Sequence, residues 1–201
     1  MSEYDRWQSR YSVEEFVFGE APNEFLASKQ HLLPNGGKVL AVADGEGRNG
    51  VWLAQQGLDV LSLDFAPAAQ AKARALAERR GADLEFELED VHGWTYPENA
   101  FDVVVDIFTQ FSSPEQRTRK WGGIKRTLKP GGLLLLEGYT PKQLDYGTGG
   151  PKVLDQLYTR EMLEAAFGSF AKLEIVQAER AMSEGRGHSG MSAVIDLVGW
   201  K

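Results

Sequence analysis

Short apolar runs alternate with helix-like stretches through the middle of the chain. The runs that predict strands are 39–43, 60–64, 101–108 and 133–136. Helical patterns follow the first two of them, at 48–56 and 67–80. The third run is apolar at nearly every position, which is typical of a strand buried on both faces. Regular alternation of strand and helix predicts an α/β fold with a doubly wound, mostly parallel sheet and helices on both faces.

Three further segments complete a seven-stranded sheet. Apolar and acidic residues alternate at 84–88, which predicts a strand with one wet face at a sheet edge. Near the end of the chain, apolar segments at 172–178 and 193–199 flank a polar loop at 183–190, and this pattern predicts an antiparallel C-terminal hairpin. Helices are also predicted at 23–33 with Asn23 as the N-cap, at 113–128 and at 159–167.

The loop after the first strand is rich in glycine. Gly45, Gly47 and Gly50 precede and open a helical pattern, so the backbone can turn tightly and the helix N–H groups favour a negative ligand group. The second strand ends at Asp64, at the ~20-residue spacing where an acid accepts hydrogen bonds from ribose hydroxyls. Together these features predict an adenosine-containing ligand.

Two classes of adenosine ligand are compatible with this loop. The spacing Gly45-x-Gly47-x-x-Gly50 is the dinucleotide fingerprint, so a dinucleotide-dependent oxidoreductase that uses NAD is a candidate. Against it, the chain of 201 residues is short for a cofactor domain plus a substrate domain. Neither Tyr139 nor Tyr146 is followed by a lysine four residues later, so the short-chain dehydrogenase pair is absent.

Charge and composition exclude several classes of partner. The formal net charge is −7, which argues against a nucleic-acid partner, and no apolar run approaches the ~20 residues that span a membrane. Basic residues cluster at 117–129, where we predict a solvated helix face. There is no cysteine, and the N-terminus lacks a signal-peptide pattern, so a cytoplasmic protein is expected.

From residue 36 to 140 the chain resembles the S-adenosylmethionine-dependent methyltransferases with a Rossmann-like core. Segment 39–49 resembles the first motif of that family, and Asp64 matches its ribose-binding acid. Segment 89–91 matches the end of its third strand, where an Asp side chain and the next backbone N–H hold adenine. The remaining matches are 97–104, which resembles the fourth-strand signature, and 128–132, which resembles the turn before the fifth strand.

A narrower resemblance involves the N-terminal segment. The loop 45–49, together with Tyr11, Phe18-Gly19 and the segment 22–26, is similar to the branch related to tellurite resistance and thiopurine methyltransferase. In that branch the N-terminal segment lies over the cofactor. The resemblance implies one methyltransferase-like domain over 1–201, with an N-terminal cap segment and helix (1–35), a cofactor-binding core (36–140) and a C-terminal helix and hairpin (141–201).

The resemblance implies a set of residues that bind S-adenosyl-L-methionine. They are Tyr11, Ala43, Asp44, Gly45, Glu46, Asn49, Asp64, Phe65, Asp90, Val91, Asp106 and Ile107. One position departs from the family, since Ala41 stands where its first-motif acid is usual. Either Asp44 or Glu46 takes over the role of that acid, or the cofactor binds more weakly. A cofactor-binding protein without turnover is therefore an alternative.

Methyl transfer from a sulfonium needs mainly alignment of the acceptor and exclusion of water, so no catalytic triad is required. The acceptor should enter over the carboxyl ends of the strands. We predict that it is a small molecule or an oxyanion, and that the catalytic residues are His188, Tyr139 and Arg186, with no metal. His188 is the candidate proton acceptor because imidazole titrates near neutrality. An idle histidine in a solvated loop, and a surface arginine, are the alternatives.

Overall fold

One mixed sheet organises the computed structural model, which describes residues 2–201. Its strands are β1 Lys38–Val42, β2 Asp59–Asp64, β3 Glu85–Leu88, β4 Phe101–Ile107, β5 Leu128–Tyr139, β6 Lys172–Glu184 and β7 His188–Trp200. Their order across the sheet is β3-β2-β1-β4-β5-β7-β6, with β7 antiparallel to both of its neighbours and the other pairs parallel. The predicted seven-stranded, mostly parallel α/β sheet is confirmed, with β3 at one edge.

Helices cover both faces of the sheet. They are α1 Glu3–Tyr11, α2 Glu24–Ser28, α3 Arg48–Gln55, α4 Pro67–Arg80, α5 Pro114–Thr127, α6 Gln143–Tyr146 and α7 Arg160–Phe167. The predicted helix at 23–33 is too long. Asn23 is the N-cap, with its side chain accepting from the Leu26 amide, but α2 ends at Ser28 and a 3₁₀ turn follows at Gln30–Leu32. No helix within residues 2–201 is long and apolar enough to cross a membrane.

Each central strand contributes side chains to two apolar clusters, one on each face of the sheet. Leu40 and Val104 pack on one side with Trp121 and Phe167, while the neighbouring positions of the same strands pack on the other side with Leu53. The predicted burial of β4 on both faces is thereby confirmed. The sheet order reverses between β1 and β4, and open α/β sheets bind ligands in the crevice at such a switch point.

The C-terminal strands are longer than the sequence predicts. β5 continues past Leu136 through Glu137 and Gly138, and most of the predicted loop 183–190 belongs to strands. The predicted strands are too short because polar residues in these segments indicate a loop, whereas several of them are buried and paired inside strands. Glu137 is fully buried against Asn23 and Arg180, and Glu184 pairs in register with His188 across the hairpin turn.

The predicted solvated basic face of α5 is wrong for two of its residues. Lys120 is completely buried and pairs with Asp106 at 3.0 Å. Arg117 is buried as well and donates to the Asp155 carbonyl at 2.5 Å. Both cations have protein partners in place of water and do not offer a surface for an anion. Lys120 fixes the loop after β4, and Arg117 fixes the segment around Asp155.

Gly47 and Gly57 provide a matched pair for testing how the glycine loop is packed. Both have φ of +84°, but a Cβ on Gly47 would lie 2.6 Å from the Cβ of Ala73, whereas one on Gly57 meets nothing within 4 Å. We expect Gly57→Ala to lower the free energy of unfolding by roughly 1 kcal/mol, from left-handed backbone alone. Gly47→Ala should lower it by roughly 3 kcal/mol because overpacking against α4 is added. Equal decreases in the free energy of unfolding for the two variants, measured by urea denaturation, would contradict a tight contact between the glycine loop and α4.

Candidate active site

A cavity of about 360 Å³ opens at the carboxyl ends of β1, β2 and β4. The glycine loop forms one wall and the loop after β4 forms another. Helix α1, the segment 150–153 and the start of β7 close the remaining sides. The predicted residues that line it are Tyr11, Ala43, Asp44, Gly45, Glu46, Asn49, Asp64, Phe65, Ile107, Tyr139 and His188. The fold therefore brings together residues from both ends of the chain.

The glycine loop turns sharply where it borders the cavity. Ala43 and Gly45 have φ of +47° and +59°, so the chain turns sharply between β1 and α3. A Cβ on Gly45 would lie 2.8 Å from the hydroxyl oxygen of Tyr11. The Tyr11 hydroxyl thus closes over the loop, at a point where only glycine leaves it room.

Asp64 ends β2 beside this loop. Its carboxylate accepts from the Gly45 amide at 2.9 Å and from the Ala66 amide at 2.8 Å. Burial raises the pKa of Asp64 to about 6, although these amides stabilise the carboxylate and lower its pKa. Further donors, such as the two hydroxyls of a ribose, would favour the ionised form. The observed residues therefore fit a nucleoside at this end of the cavity.

Asp44 and Glu46 are both engaged by the protein itself. Asp44 accepts from the Ser62 hydroxyl at 2.8 Å and from the Gly50 amide, which locks the start of α3. Glu46 accepts from the Val17 amide at 2.8 Å and pairs with Lys72. Glu46 thus ties the N-terminal segment to the glycine loop.

The buried acids of the loop predict an unusual pH dependence of stability. Burial raises the pKa of Asp44 to about 7 from a model-compound value of 3.8. The folded protein therefore holds a proton that the unfolded chain releases, so this group lowers stability as pH rises from about 4 to about 7. We expect Asp44→Asn to reduce the decrease in the free energy of unfolding between about pH 4 and about pH 7, measured by urea denaturation. The exposed control Asp59→Asn should leave this pH dependence as it is in the wild type. An identical slope in all three proteins would contradict the burial of an ionisable Asp44.

His188 and Tyr139 form a stacked pair across the cavity from the glycine loop. The Tyr139 hydroxyl shares a hydrogen bond with His188 Nδ1, and the two ring planes differ by only 10°. Phe108 and Phe18 pack on the imidazole with ring centroids 4.4 Å and 4.5 Å away. His188 is buried, so the alternative is wrong in placing this histidine in a solvated loop.

The electrostatic surroundings keep His188 neutral. Burial lowers its pKa well below the usual value, and the positive charges of Arg48 and Arg10 add to the effect. Phe108, which packs on the imidazole, has a φ of +55°, a conformation that side chains of its size rarely adopt. Backbone strain of this kind persists only where the surrounding structure enforces it. The site thus holds an uncharged imidazole in a fixed orientation.

Four predicted site residues lie away from the cavity lining. Asp90 is exposed and pairs with His92, and Val91 is buried in the apolar core. Asp106 is engaged by Lys120 and the Thr109 hydroxyl. Arg186 is exposed in the hairpin turn, with its nearest acid, Glu15, at 3.9 Å. The structure therefore does not gather these residues with the others.

Several lining residues escaped the sequence analysis. Arg10, Arg48, Gln156 and the segment 150–153 all line the cavity. Trp7 and Tyr11 lie four residues apart on one face of α1 and stack with ring centroids 5.5 Å apart. Because Arg10 precedes Tyr11 in the same helix, this face was the one signal that could have located it. The segment 150–153 offered no local signal, since its position depends on the long hairpin beside it.

The central part of the chain is similar to proteins of a known family. Residues 39–132 match a methyltransferase domain. This match covers the glycine loop, Asp64 and β4, so it includes the switch point and its cavity wall. The resemblance to methyltransferases found in the sequence is confirmed over these residues.

Individual relatives agree with this domain. The chain is 33% identical over 106 residues to demethylmenaquinone methyltransferase of Thermus thermophilus, covering 52% of this chain and 48% of the relative. The chain spans about half the length of the first curated relatives it matches.

Solved structures agree with the fold over nearly the whole chain. The N-methyltransferase NodS of Bradyrhizobium japonicum, in complex with S-adenosyl-L-homocysteine, superposes with a TM-score of 0.73 at 14% identity, over 98% of this chain and 97% of that one. TehB of Haemophilus influenzae superposes with a TM-score of 0.71 at 17% identity, over 98% of this chain and 66% of that one. At these identities the likeness concerns the fold, and it extends beyond the methyltransferase domain match to the C-terminal hairpin.

Proposed function

We propose that the protein is an S-adenosylmethionine-dependent methyltransferase that acts on a small molecule. The observation that carries the proposal is the shared cavity: the glycine loop and Asp64 face the same space as the His188–Tyr139 pair. A nucleoside-binding wall and a potential proton acceptor thus lie within reach of one bound ligand pair. The methyltransferase domain match and the S-adenosyl-L-homocysteine complex of NodS support S-adenosylmethionine as the cofactor.

Asp64 would hold the ribose of the cofactor, and the backbone of 43–45 would contact its methionine part. Phe65 and Phe111 stack with centroids 6.1 Å apart beside Asp64 and provide apolar walls for the adenosyl group. Ala41 lines the cavity with a methyl group where the family has an acid, so the polar contacts come from the loop backbone and Asp64. When bound, the cofactor supplies an activated methyl group for displacement by the acceptor.

Tyr139 and His188 position the acceptor and remove its proton. In the tautomer that we assign, His188 Nδ1–H donates to the Tyr139 oxygen and Nε2 carries the free lone pair. A thiol, phenol or hydroxyl hydrogen-bonded to Nε2 would lose its proton to that nitrogen. The cofactor would supply the methyl group, and its sulfonium S–C bond would break so that S-adenosylhomocysteine leaves. Aromatic rings of Phe18, Phe108 and Tyr139 exclude water and favour the positive sulfonium. The exposed Arg186 has no part in these steps.

An oxyanion acceptor is the second candidate, because the loop 45–49 and the N-terminal segment resemble the branch related to tellurite resistance. Transfer of labelled methyl from S-adenosylmethionine to thiols, phenols, selenite and tellurite tests both candidates. We expect turnover with at least one small acceptor. A protein that binds S-adenosylhomocysteine but transfers no methyl to any member of the panel would contradict the proposed enzyme and support a binding protein without turnover.

A further inference from the structure

Arg10 is a cavity-lining cation without an acid partner. Its guanidinium lies over the rings of Trp7 and Phe18, at 5.1 Å and 4.9 Å from their centroids. Among residues 2–201, no carboxylate lies within ion-pair distance of Arg10, and no oxygen accepts a hydrogen bond from it. Arg6, one turn earlier on the same helix, also lines the cavity but pairs with Glu3 at 2.7 Å. Arg10 therefore keeps its charge and its N–H donors available to a ligand, whereas those of Arg6 are shared with Glu3.

The acids near Arg10 are already engaged elsewhere. Glu46 pairs with Lys72 and accepts from the Val17 amide, and Asp64 accepts from two backbone amides. The neighbouring cation Arg48 pairs with Glu184 at 2.7 Å. Arg10 is thus left with donors and no acceptor.

The ring of Trp7 lies beneath the Arg10 guanidinium and also lines the cavity. Its indole Nε1 is buried and has no hydrogen-bond partner within residues 2–201, so a ligand in the cavity does not reach it. The donors at this corner are therefore those of the Arg10 guanidinium, which can only donate and carries a fixed positive charge. Such a corner is complementary to an anion.

We propose that Arg10 forms an anion-binding subsite of the cavity, which receives a carboxylate or oxyanion group of a bound small molecule. The planar guanidinium suits two parallel hydrogen bonds to such a group. Two sources carry this chemistry: the carboxylate of the cofactor's methionine part, and a negatively charged methyl acceptor. The cofactor source rests on the proposed function, whereas the acceptor source is tested independently of it.

Calorimetric titration of three variants tests the subsite. Arg10→Met removes the charge, Arg10→Lys retains the charge without the planar fork, and Arg6→Met is the matched control. The probes are S-adenosylhomocysteine, which has a carboxylate, and 5′-methylthioadenosine, which lacks the amino-acid part. Benzoate and benzyl alcohol form a second pair, titrated into the free protein and into protein with S-adenosylhomocysteine present. Unchanged far-ultraviolet circular dichroism confirms that each variant is folded.

If the anion is the carboxylate of the cofactor, Arg10→Met lowers the affinity for S-adenosylhomocysteine at least ~10-fold and keeps the affinity for methylthioadenosine within about 2-fold of the wild type. Arg10→Lys then has an intermediate affinity for S-adenosylhomocysteine. If the anion belongs to the acceptor, benzoate binding is lost while the binding of benzyl alcohol and S-adenosylhomocysteine is retained. Equal weakening within each probe pair, no weakening in either pair, or the same losses in Arg6→Met would overturn the subsite. A wild-type protein that binds no adenosyl probe but loses benzoate binding on Arg10→Met would overturn the proposed function alone.

Discussion

Asp64→Ala should lower the affinity for S-adenosylhomocysteine at least ~100-fold, because two hydrogen bonds to a charged carboxylate are worth roughly 3 kcal/mol or more. The same change removes the acceptor of the Gly45 and Ala66 amides, so the loop also loses its anchor. Calorimetric titration measures the loss directly. The ribose contact makes this the largest single effect that we expect on binding.

Asp59→Asn is the control for this prediction. Asp59 lies at the start of the same strand, with an exposed side chain paired to Lys38, so its replacement should leave the affinity unchanged. An Asp64→Ala protein that is folded and binds S-adenosylhomocysteine as tightly as the wild type would contradict the placement of the nucleoside at the end of β2.

His188→Phe should lower kcat by roughly 10²–10⁴-fold for an acceptor that must lose a proton. Phenylalanine retains the packing against Phe18 and Phe108 but has no nitrogen to accept a proton. The affinity for S-adenosylhomocysteine should change little, because Asp64 and the glycine loop hold the cofactor. Steady-state kinetics with an acceptor found in the methyl-transfer panel, together with titration, separate the two quantities.

Tyr139→Phe is the companion variant to His188→Phe. It removes the hydroxyl that bonds to His188 Nδ1 and keeps the stacked ring, so only the tautomer and orientation of the imidazole are affected. We expect a smaller fall in kcat than for His188→Phe. Full activity of both variants toward a thiol or phenol would contradict a proton-accepting role and leave alignment alone as the source of rate.

The fold was largely predictable because its signals are local. The helical pattern at 67–80 predicts α4, and the structure has the same bounds, with Pro67 in the first turn and Gly81 at the C-cap. Proline at the first turn and glycine in the left-handed conformation at the end mark such a helix independently of its surroundings. The edge position of β3 followed likewise from its own alternation.

The misjudged parts depend on partners far along the chain. Glu137 is polar but buried because Asn23 and Arg180 engage it, and no window around 137 contains those residues. The same holds for Lys120, which is buried only because β4 brings Asp106 next to it. His188 was predicted as a candidate from its chemistry, but its bond to Tyr139 spans 49 residues and exists only through the pairing of β5 with β7.

Titration of the wild-type protein with S-adenosylhomocysteine tests the central claim most directly. We predict one binding site per chain, with an affinity that Asp64→Ala removes and Asp59→Asn retains. No detectable binding at millimolar concentrations of S-adenosylhomocysteine would contradict the assignment of this cavity to S-adenosylmethionine.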